Sequence, residues 1–286
     1  MSTIYLIAAP AGFSRVKALK TIKNSALLVL VLLFSALSPW WASDPHVQNL
    51  QATLQAPSAQ AWLGTDHLGR SIAARLGEAA RISLALSIGS AAMAVLLGTA
   101  LGLLAAWRAG WVDRVIGLCA DAVAALPALL WVLLLATLAP GTPWPLYMGL
   151  VLTAWVEFFR AVRPTAAGLL ASPQVQASQL LGFGPLYVIG RHVAPALLGT
   201  LCILTSYAVA SAVLAVAALG FVGVGLQPPI AELGVMMTEA LPYYREAPLM
   251  LVSPVLLLLC VVLGLQVLAR SLQADGDLQP IAREAP

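Results

Sequence analysis

The stretch ISLALSIGSAAMAVLLGTALGLLAA, residues 82–106, contains no charged side chain from end to end. A helix that crosses the hydrocarbon core of a bilayer, about 30 Å thick, needs about 20 such residues. The stretch therefore predicts a transmembrane helix, and the composition of the chain agrees with it. Of the 286 residues, 60% are hydrophobic and 9% are charged, whereas soluble domains contain about 25% charged residues.

Further apolar stretches bring the predicted number of spans to six. They occupy residues 26–42, 115–138, 146–159, 196–219 and 249–268. The sequence thus predicts an all-α membrane protein with six transmembrane helices. The first stretch follows a basic segment, as the apolar part of a signal peptide also does. We interpret it as a retained anchor helix, because it is longer than that part usually is and more spans follow it.

The distribution of Lys and Arg predicts the orientation, because cytoplasmic loops of membrane proteins are rich in basic residues. With the N-terminus inside, all but four of the 15 basic residues fall in inner segments. The exceptions are Arg70, Arg75, Arg81 and Arg245. Both termini are therefore predicted to be cytoplasmic. The predicted organisation comprises a cytoplasmic segment 1–25, a first span 26–42, a periplasmic segment 43–81, a five-helix core 82–268 that includes a cytoplasmic loop 160–195, and a cytoplasmic tail 269–286.

The loop 160–195 contains the signals of two short helices. Pro173 can begin the first helix, Gly182 and Gly184 can interrupt it, and Pro185 can begin the second. This part of the chain is therefore predicted to be helical on both sides of a glycine turn.

Three apolar residues in this loop, Val175, Leu180 and Leu181, are expected to form one side of the first short helix. Such a side suits docking into a groove of a partner protein. A linker that lies on the membrane surface explains the same pattern equally well.

Residues suited to metal binding or catalysis are few and dispersed. Cys119, Cys202 and Cys260 fall within apolar stretches without the C-x-x-C spacing of a metal site, and we interpret them as small buried hydrophobic residues. The three histidines are far apart in sequence, and no phosphate-binding G-x4-G-K-S/T motif occurs. The sequence therefore predicts no catalytic residue, no metal site and no cofactor bound by this chain. It gives no support for nucleic-acid binding.

The loop also contains an ordered motif. Gln176-Ala177-Ser178 is followed by Gly182 and by an ending of the form hydrophobic-x-Pro at Pro195. This order resembles the coupling motif of ABC importer permeases, which begins with Glu-Ala-Ala. Here Gln176 replaces the Glu, so a salt bridge from that position is not expected, whereas a helix-in-groove contact is.

Further strings narrow the resemblance to the second permease subunit of peptide and nickel importers. They are WLGTDHLGR at 62–70, GWVD at 110–113, the spacing of Asp121 and Pro127, and GVGLQPP at 223–229. The motif residues in the two outer strings are Gly64, Asp66, Gly69, Arg70, Gly223, Gly225 and Pro228. The resemblance covers about 61–280 and implies a type I importer permease (MetI-like) fold.

The resemblance also implies partners and a location. They are a homologous second permease, two ATP-binding subunits that hold ATP and Mg, a periplasmic or lipoprotein substrate-binding protein, and the bacterial inner membrane. The coupling loop, with Gln174, Gln176, Ala177, Ser178, Gly182 and Pro195, is expected to contact the ATPases. The strings favour a nickel or metal-chelate substrate slightly over a peptide, and both stay open.

Charged residues near or within the predicted spans have two interpretations each. Asp121 and Pro127 can line a pore or contact another subunit, or Asp121 can form a structural hydrogen bond to a neighbouring helix. Glu157 is expected to form an ion pair with Arg160, one turn further along a helix. Asp66 and Arg70 either stabilise the periplasmic face or dock the binding protein.

Two other classes of function remain as alternatives. A self-sufficient secondary transporter or channel often contains internal repeats and broken helices, and the sequence shows no convincing duplication. An intramembrane hydrolase could use Ser206 or Ser211, but no histidine occurs at membrane depth to activate them.

Overall fold

The computed structural model describes residues 26–41 and 44–277, and its regular structure is almost wholly helical. The helices are α1 (Ala26–Trp41), α2 (Ile72–Arg108), α3 (Gly110–Ala124), α4 (Ala128–Ala136), α5 (Pro143–Leu170), α6 (Pro173–Leu180), α7 (Pro185–Val188), α8 (Ala194–Val222), α9 (Leu233–Ala240) and α10 (Pro248–Asp277). A π-helical turn, Ile189–Val193, joins α7 to α8. The predictions for residues 1–25, 42–43 and 278–286 lie outside the described residues.

Four helical runs are long and apolar enough to cross a bilayer, namely α2, α5, Pro185–Val222 and α10. A fifth candidate is the pair α3 and α4, which is bent by 79° at the break between the two helices. Helix α1 is apolar but contains only 16 residues. The all-α prediction is confirmed. The structure supports four spans, or five with the bent pair, where the sequence predicted six.

The predicted continuous span 115–138 is broken at Pro127. This residue has the backbone angles φ −55° and ψ 137° and caps α4. Proline lacks a backbone N–H and disfavours helical geometry in the residue before it, which explains the break. The indole of Trp131 in α4 donates a hydrogen bond to the carbonyl of Val123 in α3 at 2.8 Å, so the bend is held by a contact across it.

Two helices extend past their predicted ends. Helix α2 begins within the segment predicted to be periplasmic, and α5 runs on into the loop predicted to be cytoplasmic. Both predicted ends were placed at basic residues. In the structure Arg75 and Arg163 are paired with carboxylates, Arg75 with Asp66 at 2.8 Å and Arg163 with Asp113 at 2.5 Å. A charged residue limits the apolar stretch that can lie in lipid but does not end a helix, because Arg is a good helix former, so both helices continue past the apolar stretches from which their ends were predicted.

Helices α2 and α5 pack closely along each other at glycine positions. A Cβ atom at Gly98 would clash with the carbonyl oxygen of Trp155 and lie 2.5 Å from Cβ of Phe158. One at Gly102 would lie 2.9 Å from the side chain of Val162. These contacts advance together along both helices, so the two helices run parallel. Small residues permit such close approach within a membrane.

Helix α9 lies against the end of α8. Its first turn is capped by the buried carboxylate of Glu232, which accepts hydrogen bonds from the backbone N–H groups of Gly234 and Val235 at 2.8 and 3.1 Å. The hydroxyl of Ser83 in α2 donates to the same carboxylate at 3.3 Å. A Cβ atom at Gly234 would clash with the carbonyl oxygen of Ala217 in α8. Glu232 thus fixes the start of α9 at a point where α9 contacts both α2 and α8.

Burial raises the pKa of Glu232 from 4.5 to about 7, because desolvation of the charged form outweighs its hydrogen bonds. The residue lies between α8 and α9, outside the candidate spans. The folded protein binds the proton of Glu232 more tightly than the unfolded chain does. The protonated group therefore contributes stability to the fold that is fully present below the unfolded pKa of 4.5 and is lost as the pH rises through 7.

We therefore expect this group to make the protein less stable at pH 8 than at pH 5.5 by about 2 kcal/mol. The measurement is the melting temperature of the purified protein in detergent at the two pH values. The E232Q variant keeps an acceptor for the cap but cannot ionise, so this part of the pH dependence should disappear. Equal pH profiles for wild type and E232Q would contradict the assignment.

The predicted burial of the cysteines is wrong. Cys119 and Cys202 are exposed on the surface of the single chain, and Cys260 is half-buried. All three lie within apolar helices, as predicted. An apolar residue that faces lipid or another subunit need not be buried in its own chain, and for this reason hydropathy alone did not distinguish the two cases.

Candidate functional site

Residues 171–193, here called the tip, connect α5 to α8. Ser172 has extended backbone with ψ 147°, and the following proline begins α6. After α6, Gly182 adopts φ +86°, a left-handed conformation that favours glycine. Gly184 is extended, and Pro185 begins α7. The structure thus contains the two short helices and the glycine turn that the sequence predicted.

One side of the tip packs against the rest of the chain. Val175, Val188 and Val193 are buried, each with at most 1% of its surface exposed. The hydroxyl of Ser178 lies 3.0 Å from Nε2 of His192, so α6 is connected to the π-helical turn. These contacts give the tip a defined shape.

The other side of the tip is apolar and exposed. Leu180, Leu181 and Leu186 are exposed to 90%, 77% and 88%. Beside them, the rings of Phe183 and Tyr187 stack with their centroids 4.2 Å apart. Exposed apolar patches of this kind mark interaction surfaces.

The predicted apolar side of α6 is only partly correct. Leu180 and Leu181 face outward, but Val175 is buried on the inner side of the tip. Five positions separate Val175 from Leu180, which places them well apart around a helix of 3.6 residues per turn. The exposed patch instead continues across the glycine turn to Leu186.

The polar motif lies on the surface of α6. Gln174, Gln176 and Ala177 are exposed, and Ser178 is half-buried. The side-chain amide of Gln176 donates a hydrogen bond to the carbonyl of Ala171 at 3.2 Å. This contact leaves Gln176 at the surface but directs its amide back to the end of α5.

Gly182 and Pro195 occupy different environments. A Cβ atom at Gly182 would meet no atom within 4 Å, so only its positive φ restricts the residue type. Pro195 is exposed in the first turn of α8. The structure places it within a helical run that starts at Pro185, and not at the end of a loop.

Two ion pairs connect α3 to α5. Arg160 Nη2 lies 2.8 Å from Asp121 Oδ1, and Arg163 Nη2 lies 2.5 Å from Asp113 Oδ2. The predicted pair between Glu157 and Arg160 is absent among the described residues, because Arg160 turns to Asp121 on the neighbouring helix. Asp121 and Arg160 are nevertheless 71% and 53% exposed on the single chain.

At the opposite end of α8 from the tip, four charged residues form a buried network. Asp66 Oδ2 lies 2.6 Å from Arg70 Nε and 2.8 Å from Arg75 Nη1. Glu239 of α9 accepts from Arg75 at 2.6 Å and from Arg70 at 3.4 Å. The side chains of Asp66, Arg70 and Arg75 are at most 2% exposed. This burial supports the stabilising interpretation of Asp66 and Arg70.

Two glycines allow the chain to reach this network. Gly64 and Gly69 have φ values of +82° and +72°. A Cβ atom at either position would clash with a backbone carbonyl, that of Gln55 for Gly64 and that of Asn49 for Gly69. The spacing of glycines in the string 62–70 is therefore a requirement of its backbone path.

Two members of the network, Arg75 and Glu239, were not predicted from the sequence. Arg75 was counted only as an outer basic residue. Glu239 lies 169 positions from Arg70 in the chain, and neither spacing nor composition connects them. A basic residue at the edge of an apolar stretch indicates that an acidic partner is needed. It does not indicate where in the chain that partner lies.

The string 223–229 forms the turn between α8 and α9. Gly223 ends α8 with φ +81°, and Gly225 packs against the backbone of Gly220, to which its Cβ atom would approach within 3.1 Å. Pro228 lines a shallow depression of about 200 Å³ together with Glu239. The turn thus reverses the chain so that α9 returns onto α8.

Long apolar helices, a bent helix pair and an exposed apolar tip together define a polytopic α-helical membrane protein. Among residues 26–41 and 44–277, no group of three or more His, Cys, Asp or Glu is placed to hold a metal ion. The sequence profile of the family described as "Binding-protein-dependent transport system inner membrane component" matches residues 98–274, more than half of the chain. The chain therefore belongs to this family, which confirms the resemblance to ABC importer permeases of the peptide and nickel group.

Individual relatives are similar over most of their length. The nickel transport system permease protein NikC of Escherichia coli (strain K12) is 32% identical over 261 residues, 91% of this chain and 94% of the relative. The di/tripeptide transport system permease protein DppC of Pseudomonas aeruginosa (strain UCBPP-PA14) is 36% identical over 262 residues, 87% of this chain and 84% of the relative. The oligopeptide transport system permease protein OppC of Bacillus subtilis (strain 168) is 29% identical over 252 residues, 88% and 83% of the two chains.

The fold also has a solved neighbour. A chain of the MetNI methionine ABC transporter in an inward-facing conformation superposes with a TM-score of 0.51 and 18% sequence identity. The match covers 67% of this chain and 92% of the neighbour. It supports the predicted MetI-like permease fold.

Proposed function

We propose that this chain is a permease subunit of an ATP-driven, binding-protein-dependent importer, in which it forms half of the translocation path. The observation that carries the proposal is the position of the tip. Its exposed Leu186 lies at the start of the helical run Pro185–Val222, which is long enough to continue across the membrane, and Leu180 and Leu181 directly precede that run. A partner that moves the tip therefore moves a span.

The proposed complex contains four kinds of partner. A homologous second permease completes the path, two ATP-binding subunits grip the tips, and a periplasmic or lipoprotein binding protein delivers the substrate. ATP and Mg belong to the ATP-binding subunits, so this chain is not an enzyme and binds no cofactor of its own. Family membership supports this division of roles.

The proposed topology has six spans in the inner membrane. These are α1, α2, the bent pair α3–α4, α5, α8 and α10, with both termini and the tip in the cytoplasm. The distribution of basic residues supports this orientation. It places the network around Asp66 and the helix α9 on the periplasmic side.

The proposed substrate is nickel, a metal chelate or a small peptide. The relatives named above carry names for nickel and for peptide transport, at 32% and 36% identity. A permease specific for dipeptides or oligopeptides is the alternative within the same family. The binding protein selects the substrate first, so the outer motif of this chain constrains its identity only weakly.

The contact with the ATP-binding subunit is proposed to be mainly apolar. Gln176 lacks the charge of the Glu that it replaces, and its amide is bonded to Ala171. The adjoining exposed surface of Leu180, Leu181 and Leu186 suits a helix-in-groove contact, in which apolar side chains fill pockets of the partner.

The double variant L181E/L186E tests the proposed function. Both side chains are exposed, so the chain should fold and insert as before, because surface substitutions usually change stability by less than about 0.5 kcal/mol. Two carboxylates in an apolar contact should reduce co-purification of the ATP-binding subunit by about tenfold or more. The measurement is the amount of that subunit recovered with the tagged permease from membranes.

A matched control is L50E, which introduces a carboxylate at another leucine that is 70% exposed, remote from the tip. It should leave co-purification unchanged. Wild-type recovery with L181E/L186E would show that the tip is not the contact. Uptake by the purified chain without any ATPase would instead favour a self-sufficient transporter.

A further inference from the structure

Helix α5 has one buried side and one open side. Phe158, Val162 and Ala166 lie on the buried side. Glu157 and Arg160 are exposed, and their spacing of three residues places them on one face of the helix. The open face of α5 thus carries charge, although the helix is long and apolar enough to span a membrane.

Glu157 lies near the middle of α5. Its neighbours Trp155 and Phe158 pack on Gly98 of α2, which lies inside the uncharged stretch 82–106, eight positions or about 12 Å before the end of that stretch. A carboxylate at such a depth is energetically costly in lipid and normally faces the interior of a bundle or an aqueous path.

The two arginines that follow Glu157 along α5 are already engaged. Arg160 is paired with Asp121, and Arg163 with Asp113, both on α3. No Lys, Arg or His nitrogen of the described residues lies within 4.0 Å of the Glu157 carboxylate. Glu157, Arg160 and Asp121 therefore carry one excess negative charge among themselves, and the nearest exposed cation on α3, Arg114, lies two helical turns from Asp121.

Helix α10 shows what an uncharged surface of this chain looks like. Between positions 252 and 263 its exposed residues are all apolar, as contact with lipid requires, namely Val252, Val255, Leu256, Leu259 and Leu263. The open face of α5 differs from this pattern at Glu157 and Arg160, and α3 adds Asp121 beside them. The open face of α5 is therefore expected to contact water and not lipid.

We propose that Glu157 is a specificity-determining residue of the translocation path, where its carboxylate attracts the positive centre of the passing solute. The inference rests on the proposed function. The shared chemistry of the solutes is a cationic centre, either the ammonium group of a peptide or a metal cation. The Asp121–Arg160 pair holds the guanidinium away, so that Glu157 stays available.

The first test measures accessibility and charge at the proposed face in the assembled transporter. In a background without Cys119, Cys202 and Cys260, L118C places a thiol one helical turn from Asp121, at a position that is 69% exposed. Its reaction rates with a cationic and an anionic methanethiosulfonate reagent are each normalised to the rate with a free thiol in solution.

We expect L118C to react, and its preference for the cationic over the anionic reagent reports the local charge, because fixed charges concentrate the opposite ion. The exposed Arg114, four residues away on α3, opposes this preference equally in every variant, so the change caused by a substitution is the quantity compared. E157Q should reduce this preference by about threefold or more, whereas E246Q, at an exposed acid outside the candidate spans, should not change it. L256C on the apolar face of α10 should not react. An unreactive L118C, or a preference that E157Q leaves intact, would overturn the proposal.

The second test measures ATP-driven uptake of Ni²⁺ and of a dipeptide with a free amino terminus, which distinguishes the two sources of positive charge. E157Q should reduce uptake of the transported probe by about tenfold, and E157D should restore most of it. Wild-type uptake with E157Q would refute the role of Glu157. Absence of ATP-driven uptake by the wild-type complex would instead refute the proposed function, because the thiol reactions need no ATP.

Discussion

The D66N variant is expected to lose about 3–5 kcal/mol of stability, the usual effect of removing one partner from a buried ion pair. Asp66 accepts from both Arg70 and Arg75, and these arginines are almost completely buried. Asparagine leaves two guanidinium groups with Glu239 as their remaining carboxylate, so the network acquires an uncompensated positive charge. The melting temperature in detergent should fall by on the order of 10 °C.

The matched control is D44N. Asp44 is exposed and accepts one hydrogen bond from the backbone N–H of His46 at 2.9 Å. Removing its charge should change stability by less than about 0.5 kcal/mol. If D66N melted within about 1 °C of the wild type, the network would not stabilise the segment that contains the string 62–70.

The G98L variant is expected to prevent α2 and α5 from packing. Even a Cβ atom at Gly98 would clash with the carbonyl oxygen of Trp155, and the backbone N–H of Phe159 lies just beyond it. Backbone atoms cannot rotate away as a flexible side chain can, so the helices must separate along their contact. We expect a cost of about 3 kcal/mol or more, and loss of most of the monodisperse protein on size exclusion after extraction in detergent.

Gly199 provides the control for this substitution. It lies in α8, where a Cβ atom would meet no atom within 4 Å, and it is exposed on the single chain. G199L introduces the same side chain into a helix interior without a packing clash, and leucine forms helices better than glycine does. A G98L protein as abundant and monodisperse as G199L would rule out the close α2–α5 contact.

The parts of the fold that the sequence predicted well depend on local composition. Apolar stretches located the main helices, and prolines and glycines located the short helices of the tip. The same local information identified Pro127 as part of a motif. It did not show that Pro127 divides a span, because prolines also occur inside α5 and α10 without ending them. Whether a proline kinks or breaks a helix depends on the neighbours that satisfy the freed backbone groups.

The parts that the sequence did not predict depend on contacts between distant residues. Glu157 and Arg160 have the spacing of an ion pair, yet Arg160 pairs with Asp121 on another helix. Arg75 was placed in a loop because it is charged, although its partners Asp66 and Glu239 allow it to lie in a buried helix. Helical spacing shows which residues are able to pair, and the packing of the helices decides which of them do.

The features of the candidate site that are local in sequence were also predicted, and those that depend on the fold were not. The polar motif of the tip and its glycine were located from the sequence, because their spacing is local. The outward patch was only partly located, because Leu186 follows the glycine turn and Val175 faces inward. A single sequence gives the composition of such a surface but not its boundary, since the boundary follows from the fold of the turn.

The helical run Pro185–Val222 joins the tip to the far end of the molecule as one continuous rod. At about 1.5 Å per residue its 38 residues form a rod about 57 Å long, with Leu186 near one end and the Gly220–Glu232 contact near the other. A tilt of about 5° about one end would displace the other by about 5 Å, close to the pitch of an α-helix. Because α9 touches the rod at Ala217, a tilt about the tip end would carry the contact with α9 sideways together with the far end of the rod.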